Sequence, residues 1–73
     1  MKPAQKKRIE KAFTYHPPKD DFQQQRYSLI RQRHGELATM LAEICPDSRE
    51  LNSSLKCLEE SQAWSIAAIA RNE

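Results

Sequence analysis

The sequence predicts an all-α fold, a short N-terminal helix followed by a long antiparallel helical hairpin that assembles as a homo-oligomer. Three observations carry this expectation. Residues 11–19, Lys-Ala-Phe-Thr-Tyr-His-Pro-Pro-Lys, break helical pattern more firmly than any other stretch, and they divide a short helical run from a long one. The run Cys45-Pro46-Asp47-Ser48-Arg49-Glu50 then stops one helix and starts another. On both sides of it, apolar residues recur at spacings of four and three, the pattern of two helices packed face to face.

Residues 3–12 read as the short helix. Pro3 suits its first turn, good helix formers follow, and Ile9, Ala12 and Phe13 fall on one side. A helix of this length does not stand alone and must dock on something. Residues 13–20 are expected to be extended, because Pro17 and Pro18 fix φ and Pro17 pushes His16 out of the α region. This segment presents Phe13, Tyr15 and His16 between Lys11 and Lys19. Aromatic faces beside cations on a stiff run can stack a base and meet a phosphate. A plain packing role, covering one end of a small core, competes with that reading.

A helix is expected over 21–45, with Asp21 as cap and Gln24 reaching back, and a stripe of Ile30, His34, Leu37, Leu41 and Ile44. Another is expected over 47–72, with Asp47 as cap, Glu50 at the third position, and Leu51, Leu55, Leu58, Ile66 and Ile69 on the matching face. The short connection makes the helices antiparallel. It sets Leu41 near Leu51, Leu37 near Leu55, His34 near Leu58 and Arg71 level with Asp21. His34 thus reads as an interface histidine rather than a ligand. A second stripe, Cys57, Ser61, Trp64 and Ala68, and a third, Ala63, Ala67 and Ala70, exceed what one hairpin can cover. Small residues around one tryptophan admit a neighbouring helix, which is the reason to expect self-association.

Composition narrows the function. Seventy-three residues make a single domain, 1–73, with little capacity to bury surface. The net charge of +2, from twelve basic and ten acidic residues, is too mild for a duplex DNA binder. The cations gather early, from Lys2 to Lys19 and on through Arg26, Arg31 and Arg33, which suits a compact anion. Cys45 and Cys57 are separated by about ten helical residues, so they read as reduced thiols of a cytosolic chain. No zinc-ligand spacing, glycine-rich phosphate loop, paired-carboxylate cleft or nucleophile elbow is present, and neither catalysis nor a cofactor is expected. No apolar run has membrane-spanning length and no signal-peptide core follows the N-terminus, so neither a membrane nor a secretory role is expected.

Phe-Thr-Tyr-His-Pro-Pro-Lys at 13–19, Arg26-Tyr27, Cys-Pro-Asp-Ser-Arg-Glu at 45–50, Leu-Glu-Glu at 58–60, Trp64 and the final Ala-Ile-Ala-Arg-Asn-Glu resemble the phage anti-CBASS protein 2 family. The resemblance spans about residues 9–73, and the order and spacing of its elements make it specific. It implies a homohexamer of helical hairpins that sequesters the cyclic oligonucleotides of bacterial anti-phage signalling, uncleaved, in the cytoplasm of the infected host. It implies that Tyr15 in the Phe-Thr-Tyr-His motif stacks on a base of a cyclic dinucleotide, with His16 beside it. Arg31 is the best match for the phosphate contact, with Arg26 or Arg33 as the alternatives in register. Arg71 matches the arginine of a second family pocket, for cyclic trinucleotides, and Arg33 is its expected neighbour. Two other functions stay open, a purely structural assembly subunit and a binder of single-stranded nucleic acid.

Overall fold

The computed structural model covers residues 1–73 and contains three α-helices and no strand: α1 (Pro3–Phe13), α2 (Asp21–Ile44) and α3 (Arg49–Asn72). Helices α2 and α3 form an antiparallel hairpin, and α1 lies beside the C-terminal half of α3.

The helix boundaries are set by local chemistry, and the caps differ from those the sequence suggests. The cap of α2 is Asp20, not Asp21. Its backbone is extended (φ −159°, ψ 176°) and its carboxylate accepts the Gln23 N–H at 2.8 Å. Asp21 sits inside the first turn, where a negative charge favours the helix dipole. The returning side chain is Gln23 rather than Gln24, and its Oε1 accepts the Lys19 N–H at 2.9 Å. Likewise Ser48, not Asp47, caps α3, with its hydroxyl oxygen accepting the Leu51 N–H at 3.1 Å. The same hydroxyl donates to the Pro46 carbonyl at 3.0 Å. An ionised Asp only accepts, so Ser48 satisfies two backbone groups of this turn where Asp47 can satisfy one kind.

The seam of the hairpin takes Gln23, Tyr27, Ile30, His34, Ala38 and Leu41 from α2, Cys45 at its C-cap, and Leu51, Leu55, Leu58, Gln62, Ile66 and Ile69 from α3. Two residues assigned to it from hydrophobicity lie outside: Leu37 is 40% exposed and Ile44 68%. Ala38 takes the place of Leu37 because a methyl group lets the backbones approach, and the two positions differ by about 100° around the helix. His34 borders the same cleft as Leu58, as expected, and also meets Ser61 one turn further on (Nε2 to Oγ, 3.0 Å), while its Nδ1 pairs with the Ile30 carbonyl at 2.8 Å.

The protomer is a thin slab. Its extents are 47 × 33 × 13 Å, and one helix with side chains is about 10–12 Å across, so the helices form essentially one layer. Only Gln23, Tyr27 and Leu51 are buried. The accessible surface is 6062 Å², whereas a globular monomer of 8.5 kDa exposes about 4,700 Å².

Candidate ligand-binding site

Tyr15 is positioned by its two neighbours. Both tie back to the end of α1: the Thr14 hydroxyl donates to the Glu10 carbonyl, and His16 Nε2 lies 3.1 Å from the Lys11 carbonyl, to which the ring N–H donates. These bonds satisfy carbonyls that the helix C-terminus leaves open. With its neighbours turned inward, the Tyr15 side chain projects outward, 83% exposed. His16 is half-buried. It acts as a strut under Tyr15, while the prolines that follow hold the segment away from helix.

The three arginines of α2 have different circumstances. Arg26 is engaged within the chain. Nη1 donates to Glu73 Oε2 at 2.9 Å, Nη2 donates to Oε1 of the same carboxylate, and the guanidinium lies 4.6 Å above the Phe22 ring. Gln23, only 3% exposed, is the hub of this corner. Its amide nitrogen donates to Glu73 at 3.3 Å and its oxygen holds Lys19, which fastens the extended segment, α2 and the end of α3 together. Arg33 pairs with Glu36 one turn away at 3.2 Å. Arg31 is exposed and enters neither ion pair.

The charges respond accordingly. Hydrogen bonds from Arg26 and then Gln23 pull the Glu73 carboxyl down to about 2, against a smaller opposing push from partial desolvation. The same bond raises Arg26 further above its ordinary value. Glu36 is lowered by bonds from Gln32 and Arg33.

Arg71 is not level with Asp21. It is half-buried and lines an open groove of about 560 Å³ between α1 and α3, with Arg8 and Lys11 from α1 and with Trp64, which is 68% exposed. Arg33 is not its neighbour within the protomer. His34 meets Ser61, so Arg33 stands level with about residue 62, some 13 Å along the axis from Arg71. The expected stripe of Cys57, Ser61, Trp64 and Ala68 is exposed along its length. A further exposed stripe, Phe22, Leu29, Leu37, Met40 and Ile44, runs down one face of α2.

Sequence reasoning missed the roles of Gln23, Phe22 and Glu73. Gln23 had a legible signal, lying three residues after Asp20 and one turn before Tyr27 on the seam. Glu73 had none, because its partner is 47 residues away. Both cysteines are free thiols, no three His, Cys, Asp or Glu side chains converge, and no helix is long and apolar enough to cross a membrane.

Comparison with curated proteins and with solved structures returns no match. The family model described as "Acb2/Tad1, hairpin domain" matches residues 5–70, which include α2, nearly all of α3, the extended segment and most of α1. The hairpin seam, the outward Tyr15 and this match over most of the chain lead to one conclusion: the protein belongs to the Acb2/Tad1 hairpin-domain family.

Proposed function

We propose that this protein is a phage-encoded sponge for cyclic oligonucleotide second messengers. It takes up cyclic dinucleotides, and cyclic trinucleotides at a second pocket, and holds them without cleaving them. Bacterial CBASS signalling in the cytoplasm of the infected host is then deprived of its messenger. Beyond family membership, the observation that carries this reading is Tyr15, a ring fully presented to solvent by two neighbours that are themselves bonded down. An aromatic face held open in this way suits base stacking, which contributes about 1 to 3 kcal/mol per base. His16 positions that ring. Arg31 is the phosphate contact, since Arg26 is held by Glu73 and Arg33 by Glu36. Arg71 serves the trinucleotide pocket.

Assembly is part of the proposal. A 13 Å slab with about 1,400 Å² more surface than a monomer of its mass is a fragment of a larger core, and the stripes on α2 and α3 are the faces that copies of the chain cover. A homohexamer brings several Tyr15 rings together, and a ligand with two bases and approximate two-fold symmetry is met by two protomers at once.

The test is a thermal-shift titration of the purified protein against cyclic di- and trinucleotides, with linear dinucleotides and mononucleotides as controls. A rise in melting temperature with cyclic ligands alone, and ligand recovered unaltered after heating, is the expected result. No shift with any cyclic ligand returns the protein to a structural role, and altered ligand makes it an enzyme.

A further inference from the structure

The extended segment that carries Tyr15 is tied at both ends, and the two ties differ in what they fix. Upstream, Thr14 and His16 bond to the last turn of α1. Helix α1 itself buries no side chain, and its one hydrogen bond to the hairpin is Lys11 Nζ donating to Asn72 Oδ1 at 2.8 Å. Anchorage on α1 therefore does not fix Tyr15 relative to α2. Downstream, Pro17 and Pro18 have no N–H, so Lys19 carries the first backbone donor after His16. Gln23 Oε1 accepts that N–H at 2.9 Å, which joins the segment to the hairpin.

Gln23 is a polar side chain at the end of a largely apolar seam, and it is only 3% exposed. An amide is costly to bury unless both of its ends are bonded. Here both are. Its nitrogen donates to Glu73 Oε1 at 3.3 Å, and the Tyr27 hydroxyl lies 3.5 Å from its oxygen. An ionised carboxylate only accepts, so Glu73 takes the nitrogen end and leaves the oxygen facing Lys19. Arg26, bonded to both Glu73 oxygens, holds the carboxylate in place. A leucine would fill the same space beside Tyr27, yet it could neither accept from Lys19 nor donate to Glu73.

Between this anchor and the ring lies a short, stiff lever. Tyr15 stands four residues before Lys19, and two of the intervening residues have φ fixed by their rings, so a displacement at Lys19 passes to Tyr15 instead of being absorbed. Arg31 is eight residues beyond Gln23 on the same helix, about 12 Å along the axis. We propose that Gln23 is a positioning residue for the dinucleotide site: its amide, oriented by Glu73, sets the Lys19 end of the proline lever and thereby the place of the Tyr15 ring relative to Arg31. This rests on the sponge reading and adds to it two residues that touch no ligand. Their contribution to binding is preorganisation of a ring that would otherwise have to be ordered by the ligand.

The full chain and its Q23L, Q23E and Q23E/E73Q variants are titrated calorimetrically with the cyclic dinucleotides of the thermal-shift panel, and exchange of the Lys19 amide is followed in the unliganded protein. Q23E sets a second carboxylate against Glu73, whereas Q23E/E73Q exchanges donor and acceptor, so that position 23 again accepts from Lys19 and from position 73. The exchange preserves volume, so the test does not depend on Q23L folding. The expected result is lost Lys19 protection and about tenfold weaker dinucleotide binding in Q23L and Q23E, with both restored in Q23E/E73Q. In a Tyr15→Ala background the cost of Q23L vanishes, because the ring through which Gln23 acts is gone. Lys19 protection lost with affinity unchanged overturns the positioning role while leaving the sponge intact. A loss of affinity that Q23E/E73Q does not reverse, or that persists at full size in the Tyr15→Ala background, overturns it as well, since Gln23 then acts on the fold and not on the ring. Wild-type protein that binds no cyclic dinucleotide overturns both readings.

Discussion

Helices α2 and α3 carry balanced charge and meet along a seam in which Leu51 and Tyr27 are buried, whereas α1 carries a surplus of cations and buries nothing. The hairpin is held by apolar contact with polar exceptions that find partners, His34 on Ser61 and Gln23 on Lys19 and Glu73. Helix α1 and the segment after it are held by end-on hydrogen bonds from Thr14 and His16 and by one side-chain bond from Lys11. The difference teaches where stability and function part company. Residues of the seam hold the fold, while the loosely held N-terminal region displays Tyr15, Arg8 and Lys11.

The comparison breaks most severely at Leu51. Truncation to Ala in a protomer with three buried residues removes a large part of the only core, and a loss of about 2 to 5 kcal/mol is expected in chemical denaturation. A much smaller loss would mean that the core lies between protomers instead. Tyr15→Ala tests the other side. It lowers cyclic dinucleotide affinity by about 1 to 3 kcal/mol for each base stacked, while the melting temperature of the unliganded protein stays put, because the ring is bare to solvent. A fall in melting temperature comparable with that of a seam variant would make Tyr15 a packing residue.

Gly35 gives a smaller effect of opposite sign. It sits in α2 above a shallow cleft between the helices, and a Cβ built there meets nothing within 4 Å. Gly35→Ala therefore stabilises the hairpin by about 0.5 to 1 kcal/mol, read as a raised denaturation midpoint. Destabilisation instead would reveal a neighbouring protomer pressed against that cleft. The smallest effect belongs to the Glu73 clasp. Its carboxyl is depressed from the ordinary 4.5 to about 2, so the stability it contributes is present above about 4.5 and is lost as the pH falls through that window toward 2. Hydrogen-exchange protection of the last turn of α3 should fall over this range in the wild type and be pH-independent in Glu73→Gln. Both groups are partly exposed, so the global melting point should hardly move.

Much of the fold was legible because its determinants are local. Pro17, Pro18 and Pro46 restrict φ wherever they stand, and spacings of four and three define a helical face without reference to a partner. Leu37 and Ile44 were misplaced because hydrophobicity identifies a face that wants burial and not which of two adjacent faces obtains it. The caps slipped by one residue in Asp20-Asp21 and Asp47-Ser48, where adjacent residues are both capable and backbone angles decide. At the candidate site, Tyr15 was visible from its aromatic and proline context. The standing of the three α2 arginines was not, since composition treats Arg26, Arg31 and Arg33 alike.

The sequence by itself determined three helices, the break that exposes Tyr15 and the surplus of hydrophobic stripes, since these depend on torsional restriction and periodicity within a few residues. Only the tertiary structure decided that Glu73 occupies Arg26 across 47 residues, that Ala38 displaces Leu37 from the seam, and that α1 brings Arg8 and Lys11 to Arg71. Those outcomes depend on how far apart two helices lie and in which register, and that distance is set jointly by side chains on both.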